Sequence, residues 1–157
     1  MRPSREVLDT LFEGTPHFVE RLAVLEVAGW EELFDRADDI AVNMPEDEQV
    51  ELLNAHPRIG AAPASVSALS FREQGYDRDP GTAELQARLD ELNQRYEARN
   101  GFRFVVFVNG RPRSAIADYM ATRLDADRDE ERRRALADVI AIARSRHAQQ
   151  VSRKESG

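Results

Sequence analysis

The sequence predicts an all-α, single-domain helical bundle, and three observations carry that reading. Apolar residues recur at helical spacing along most of the chain, and prolines and glycines fall where helices would start and stop. The one stretch with strand character, residues 102–108, has no second strand to pair with, so it is read as a buried, partly extended segment packed among helices.

Taken in order, Ser4 to Glu13 is a short helix with Ser4 as its N-cap, and Pro16 opens a second helix through Phe18, Leu22 and Leu25 that Gly29 ends. Trp30, Leu33, Phe34 and Ala37 mark a third. Pro45 opens a fourth, which Pro57 stops just after His56. From Pro57 to Leu69 the chain is small, rich in Gly, Pro and Ser, and aperiodic, which makes it a loop. Its length is one at which irregular connections are usually either functional or disordered. A short segment at Phe71 to Gln74 and a turn from Gly75 to Gly81 follow. Leu85, Leu89, Leu92 and Tyr96 then keep one helix face, and Gly101 terminates that helix. Further helices are expected from Ala115 to Arg123 and from about Asp127 to Gln150, with residues 1–150 forming the domain and 151–157 a polar, disordered tail.

Composition narrows the chemistry. The chain has 157 residues, a net charge of −7 and no cysteine, so zinc-thiolate sites, Fe–S clusters and cysteine nucleophiles are excluded. A chain of this size buries roughly two-thirds of its unfolded surface and needs no metal or disulfide to fold. The acidic balance argues against nucleic acid as a partner, because such binding neutralises phosphates with Lys and Arg. No long apolar run suggests a membrane span or a secretory signal. The only lysine is Lys154, in the tail, which makes Schiff-base catalysis by lysine improbable.

Three groups can carry chemistry. His56 lies at a helix end, before a proline and a long loop, where an imidazole can face a cleft; the alternative is a histidine favoured there by the helix dipole. Ser70-Phe-Arg-Glu73-Gln74 has capping-box spacing, and the same residues can aim a carboxyl and neutral donors into a cleft beside His56. Arg146 projects close to the apolar stripe of Leu136, Val139, Ile140, Ile142 and Ala143. It either snorkels past the end of the core or meets an anion, carbonyl or carboxylate inside it. His17 and His147 are weaker candidates.

The ordered set Ala55-His56-Pro57-Arg58-Ile59-Gly60, Ser70-x-x-Glu73-Gln74, Leu92-Asn93-x-x-Tyr96, Asn100-Gly101-Phe102-Arg103-Phe104, Arg123-Leu124 and Ile142-Ala143-x-x-Arg146 resembles the OHCU decarboxylases. That family acts on 2-oxo-4-hydroxy-4-carboxy-5-ureidoimidazoline (OHCU), the last unstable intermediate between urate and allantoin. The resemblance covers the chain from Glu13 to Arg146. It implies a cytoplasmic, cofactor-free and metal-free lyase, commonly a homodimer, associated in function with urate oxidase and hydroxyisourate hydrolase. His56, Glu73 and Arg146 would be catalytic. Pro57, Ser70, Gln74 and main-chain groups of the 102–106 segment, at Phe104, Val105 and Val106, would bind substrate. Three departures from the family pattern stand out: His17 replaces a Trp, Asn100-Gly-Phe-Arg103-Phe replaces Phe-Gly-Phe-Pro-Phe, and His147 replaces a Leu. Arg103, beside the expected pocket, is the departure most able to alter substrate contacts. The rival readings are a catalytically silent helical interaction domain and a decarboxylase of a related ureido-acid.

Overall fold

A computed structural model describes residues 1–61, 68–75 and 81–156. Among these residues all regular structure is helical: α1 (Arg5–Leu11), α2 (Pro16–Ala23), α3 (Trp30–Asn43), α4 (Glu46–Asn54), α5 (Ala68–Glu73), α6 (Ala83–Asn100), α7 (Arg113–Arg123) and α8 (Arg128–Ser156). The middle of the expected 57–69 loop and most of the expected 75–81 turn lie outside the described residues. No described helix is long and apolar enough to cross a membrane. The chain divides into two compact units, Met1–Ala55 with Leu136–Gly157, and His56–Ala135.

In the first unit, α2 packs against α1, α3 and α4. Proline at the first position of α2 fits because that residue's N–H would have no helical partner. Phe18, Val19 and Leu22 form its buried face, and Phe18 meets Phe12 edge to face at 5.1 Å, worth about 0.5–1.5 kcal/mol beyond burial. One cap and one boundary differ in detail from expectation. Ser4 is the N-cap of α1, but its hydroxyl makes no capping bond. Gly29 does not end α2, which stops at Ala23; it is instead the extended N-cap of α3. Residues 24–28 leave the helix to run beside the N-terminal residues, with Val27 N–H donating to the Met1 carbonyl at 2.9 Å.

In the second unit α6 packs on α7. The Thr82 side chain caps α6 by accepting from the Leu85 N–H at 3.1 Å, and Gly101 ends it in the left-handed conformation, φ +78°. Leu89, Leu92 and Tyr96 are buried as their spacing predicts. The 102–108 segment forms no strand; Phe102, Phe104, Val105, Val106 and Val108 are buried. Buried carbonyls need donors, and arginines supply them in place of a neighbouring strand. Arg134 Nη1 donates to the Val105 carbonyl at 3.0 Å, Arg111 Nε to Val108 at 3.0 Å, and Arg111 Nη2 to Phe107.

The last helix continues to Ser156, through the stretch that its polarity assigned to a tail. No glycine or proline falls between Val151 and Ser156, and Arg153 and Lys154 in the final turn complement the negative end of the helix dipole.

Candidate functional site

His56 follows directly on the C-terminal end of α4 and begins the second unit. It is buried, and its carbonyl accepts a hydrogen bond from Arg103 Nη1 at 3.2 Å. The Arg103 departure thus places a guanidinium on the histidine's own main chain.

Gln74 comes immediately after α5 and is 4% exposed. Its Oε1 accepts from the Gly60 N–H at 2.8 Å, and its Nε2 donates to the Arg58 carbonyl at 3.2 Å. An amide expected to touch substrate therefore also fastens the loop that follows His56. Glu73, the last residue of α5, is half-buried. Ser70 is the third residue of α5, so it does not occupy the N-cap position that a capping box requires; its side chain lies outside the described residues. Pro57 is half-buried, and Phe104, Val105 and Val106 are buried.

The second unit thus links three of the expected pieces: the His56 loop, Gln74 and the 102–106 segment. Arg146 lies in the first unit and is 2% exposed. Of the two alternatives the sequence left for it, the structure shows the second. Nη1 donates to the Thr10 and Leu11 carbonyls at 3.1 and 3.4 Å, and Nη2 pairs with Glu13 Oε1 at 2.7 Å. It closes the C-terminal end of α1, next to Glu13 and Gly14, both at positive φ.

The other two histidines are in the first unit. His17 pairs with Glu51 at 2.7 Å across α2 and α4; the hydrogen bond and charge of Glu51 raise its pKa. His147 stacks on Trp30 at 4.7 Å and meets Phe34 at 5.7 Å. Burial, with a smaller contribution from Lys154, lowers its pKa.

Sequence reasoning missed a buried carboxylate. Glu131, in the first turn of α8, is 0% exposed and accepts from Tyr96 Oη at 2.8 Å, Arg123 Nε at 2.8 Å and Arg134 Nη2 at 2.6 Å. Burial alone would raise its pKa, but the hydrogen bonds and charges of its partners outweigh that, and the net shift is downward. Burial also pushes the Tyr96 hydroxyl upward, reinforced by the charge of Glu131. Arg134 stacks over Phe104 at 5.1 Å while holding the Val105 carbonyl, so this network anchors the 102–106 segment. The available signal was Tyr96 and Arg123 standing in the ordered motif set without an assigned role. Glu131 itself reads as an ordinary acidic first turn.

The fold and the buried imidazole define an all-α protein with a candidate polar site on the loop that follows α4. The sequence signature of the family described as OHCU decarboxylase matches residues 3–148, and the chain belongs to that family. It is similar to the uric acid degradation bifunctional protein PucL of Bacillus subtilis, 29% identical over 154 residues, covering 95% of this chain and 30% of that protein. It is also similar to the 2-oxo-4-hydroxy-4-carboxy-5-ureidoimidazoline decarboxylase of Haloferax volcanii, 32% identical over 106 residues, covering 68% of this chain and 63% of that one. The chain therefore spans less than two thirds of the length of either relative. Among solved structures, an OHCU decarboxylase determined in the presence of (S)-allantoin shares the fold, with a TM-score of 0.76 at 22% identity over 96% of this chain and 99% of the other.

Proposed function

We propose that this protein decarboxylates OHCU to (S)-allantoin and CO2. The observation that carries the reading is the placement of His56, buried on a fastened loop, in a chain of this family. The carbon–carbon bond to the substrate carboxylate breaks and CO2 departs. The imidazolone ring and its carbonyl take up the electron pair. The hydroxyl loses its proton as its carbon becomes a carbonyl, one proton is delivered to a single face of the ring carbon that bears the ureido group, and a second, supplied by solvent, neutralises the ring nitrogen that received the electron pair. The substrate is its own electron sink, so the protein's task is orientation, charge stabilisation and proton delivery.

His56 and Glu73 govern the hydroxyl and the proton transfers, since imidazole exchanges protons near neutral pH, and Glu73 orients the ring. Pro57, Ser70, Gln74 and the main chain of Phe104, Val105 and Val106 recognise the substrate. Arg146, whose Nη2 pairs with Glu13 in this structure, is assigned to exchange that carboxylate for a ring or ureido carbonyl where negative charge builds up. A tight grip on the departing carboxylate would stabilise the ground state and slow the step. The enzyme works in the cytoplasm as a homodimer. Its functional association with urate oxidase and hydroxyisourate hydrolase is supported by the bifunctional urate-degrading relative.

His56→Asn tests the assignment. The variant is expected to keep its far-UV circular dichroism and to lose about 10²–10⁴-fold in the rate of optically active allantoin formation, the usual worth of a proton-transfer group. Wild-type rates would overturn it.

A further inference from the structure

The described residues that follow His56, 57–61, have no regular structure, yet their main-chain groups are held by side chains. On α6, Gln86 Nε2 donates to the Gly60 carbonyl at 2.8 Å and Asn93 Nδ2 to the Ile59 carbonyl at 2.9 Å. Glu97 takes Arg58 in a two-pronged pair, at 2.7 Å to Nε and 2.8 Å to Nη2. From the other side Gln74 holds the Gly60 N–H and the Arg58 carbonyl. Residues 86, 93 and 97 are seven and four apart, so they share one face of α6. Leu89 lies on the same face, directly under Gly60. A Cβ built on Gly60 would lie 2.9 Å from Leu89 Cδ1, and Gly60 has φ +80°. The loop therefore seats in full contact on this face in one register. Asn93 is 4% exposed, with its second amide hydrogen on the Leu89 carbonyl of its own helix at 2.9 Å.

We propose that the Gln86–Asn93–Glu97 face of α6 is a positioning device for His56, fixing the imidazole by fixing the register of the loop that follows it. The inference rests on the role assigned to His56 above. A proton-transfer group must be held close to its productive geometry, and a misplacement of about 1 Å can cost a hundredfold in rate. The preceding side of His56 is fixed by the last turn of α4, where Ala55 N–H donates to the Glu51 carbonyl at 3.1 Å, and its own carbonyl by Arg103. The α6 face supplies the missing constraint on the following side. Asn93, Gln86 and Glu97 are positioning residues, acting through Arg58, Ile59 and Gly60.

The test uses the full chain with Asn93→Leu, Glu97→Gln, Glu97→Arg and the charge-exchanged double variant Arg58→Glu/Glu97→Arg. The chain has three histidines, so its imidazole signals can be resolved by NMR with isotope-labelled histidine. In Asn93→Leu and Glu97→Gln the His56 signals are expected to shift or broaden while those of His17 and His147 stay in place. In steady-state assays with OHCU, kcat is expected to fall about 10- to 100-fold with KM within about twofold, and the charge-exchanged variant to recover kcat relative to Glu97→Arg alone. Should Asn93→Leu fail to fold, the more exposed Glu97→Gln carries the test. Unchanged His56 signals in both variants, or wild-type kcat with displaced signals, would overturn the proposal. A wild-type chain inactive on OHCU would sink the proposed reaction instead, and the NMR result alone would then decide the positioning claim.

Discussion

Replacing Glu131 with glutamine is expected to cost about 2–4 kcal/mol of stability. The carboxylate is fully buried; Oε1 accepts from Tyr96 Oη and from Arg134 Nε and Nη2, and Oε2 accepts from Arg123 Nε. Breaking a buried pair by removing one partner costs about 3–5 kcal/mol. Here the side chains of Arg123 and Arg134 are 27% and 17% exposed, so water recovers part of that, and the amide keeps one acceptor oxygen. For a chain of this length the loss corresponds to roughly 2–4 °C of Tm per kcal/mol. Urea unfolding at pH 7, followed by far-UV circular dichroism, measures it. The carboxyl is depressed in the folded state, so its contribution is present above its unfolded value of about 4.3 and is lost as the pH falls through the folded value. The gap between wild type and variant should therefore be full near pH 7 and close on acidification below about pH 4. Tyr96, raised in the folded state, contributes below its unfolded value of about 10 and loses that contribution as the pH climbs above it. A loss under about 1 kcal/mol at pH 7, or a gap that does not vary with pH, would refute the reasoning.

Gly60→Ala forces a β-carbon onto a left-handed residue against Leu89 and is expected to cost about 1–3 kcal/mol in a urea melt; a change within about 0.5 kcal/mol would contradict the close seating of the loop on α6. Trp30 is the only tryptophan and stacks on His147, whose pKa is lowered chiefly by burial. Its fluorescence should change as His147 protonates, with a midpoint below about 6.5, and His147→Leu should abolish the step. A midpoint at or above that value would count against the burial of this ring.

What the sequence revealed was what local physics decides. Pro16 and Gly101 punctuate helices through their own backbone preferences, and Leu89, Leu92 and Tyr96 announce a buried face because helical period is a local property. The 102–108 segment was legible as a non-strand for lack of a pairing partner. Ser70 misled because a capping box is defined by where the helix begins, and α5 begins earlier, at Ala68. Gly29 misled because a glycine suits a helix end and an extended N-cap alike. Of the candidate site, the sequence named His56, Gln74 and the 102–106 segment, which the structure links within the second unit, whereas the grip of Gln86, Asn93 and Glu97 on the loop was not legible. Those contacts join side chains to main chain across 26 and 34 residues of sequence, and side chain to side chain across 39, distances at which no periodicity speaks. Asn93 did carry a trace of it, as a polar residue between Leu92 and Tyr96 on an apolar face. Glu131 was hidden in an acidic first turn that the helix dipole explains without it.

The most direct test of the account is a circular-dichroism time course in which the protein is added to urate and a urate oxidase. Prompt accumulation of dextrorotatory allantoin, faster than in the reaction without the protein, is the predicted result. Slow formation of racemic allantoin, indifferent to how much protein is added, would contradict it.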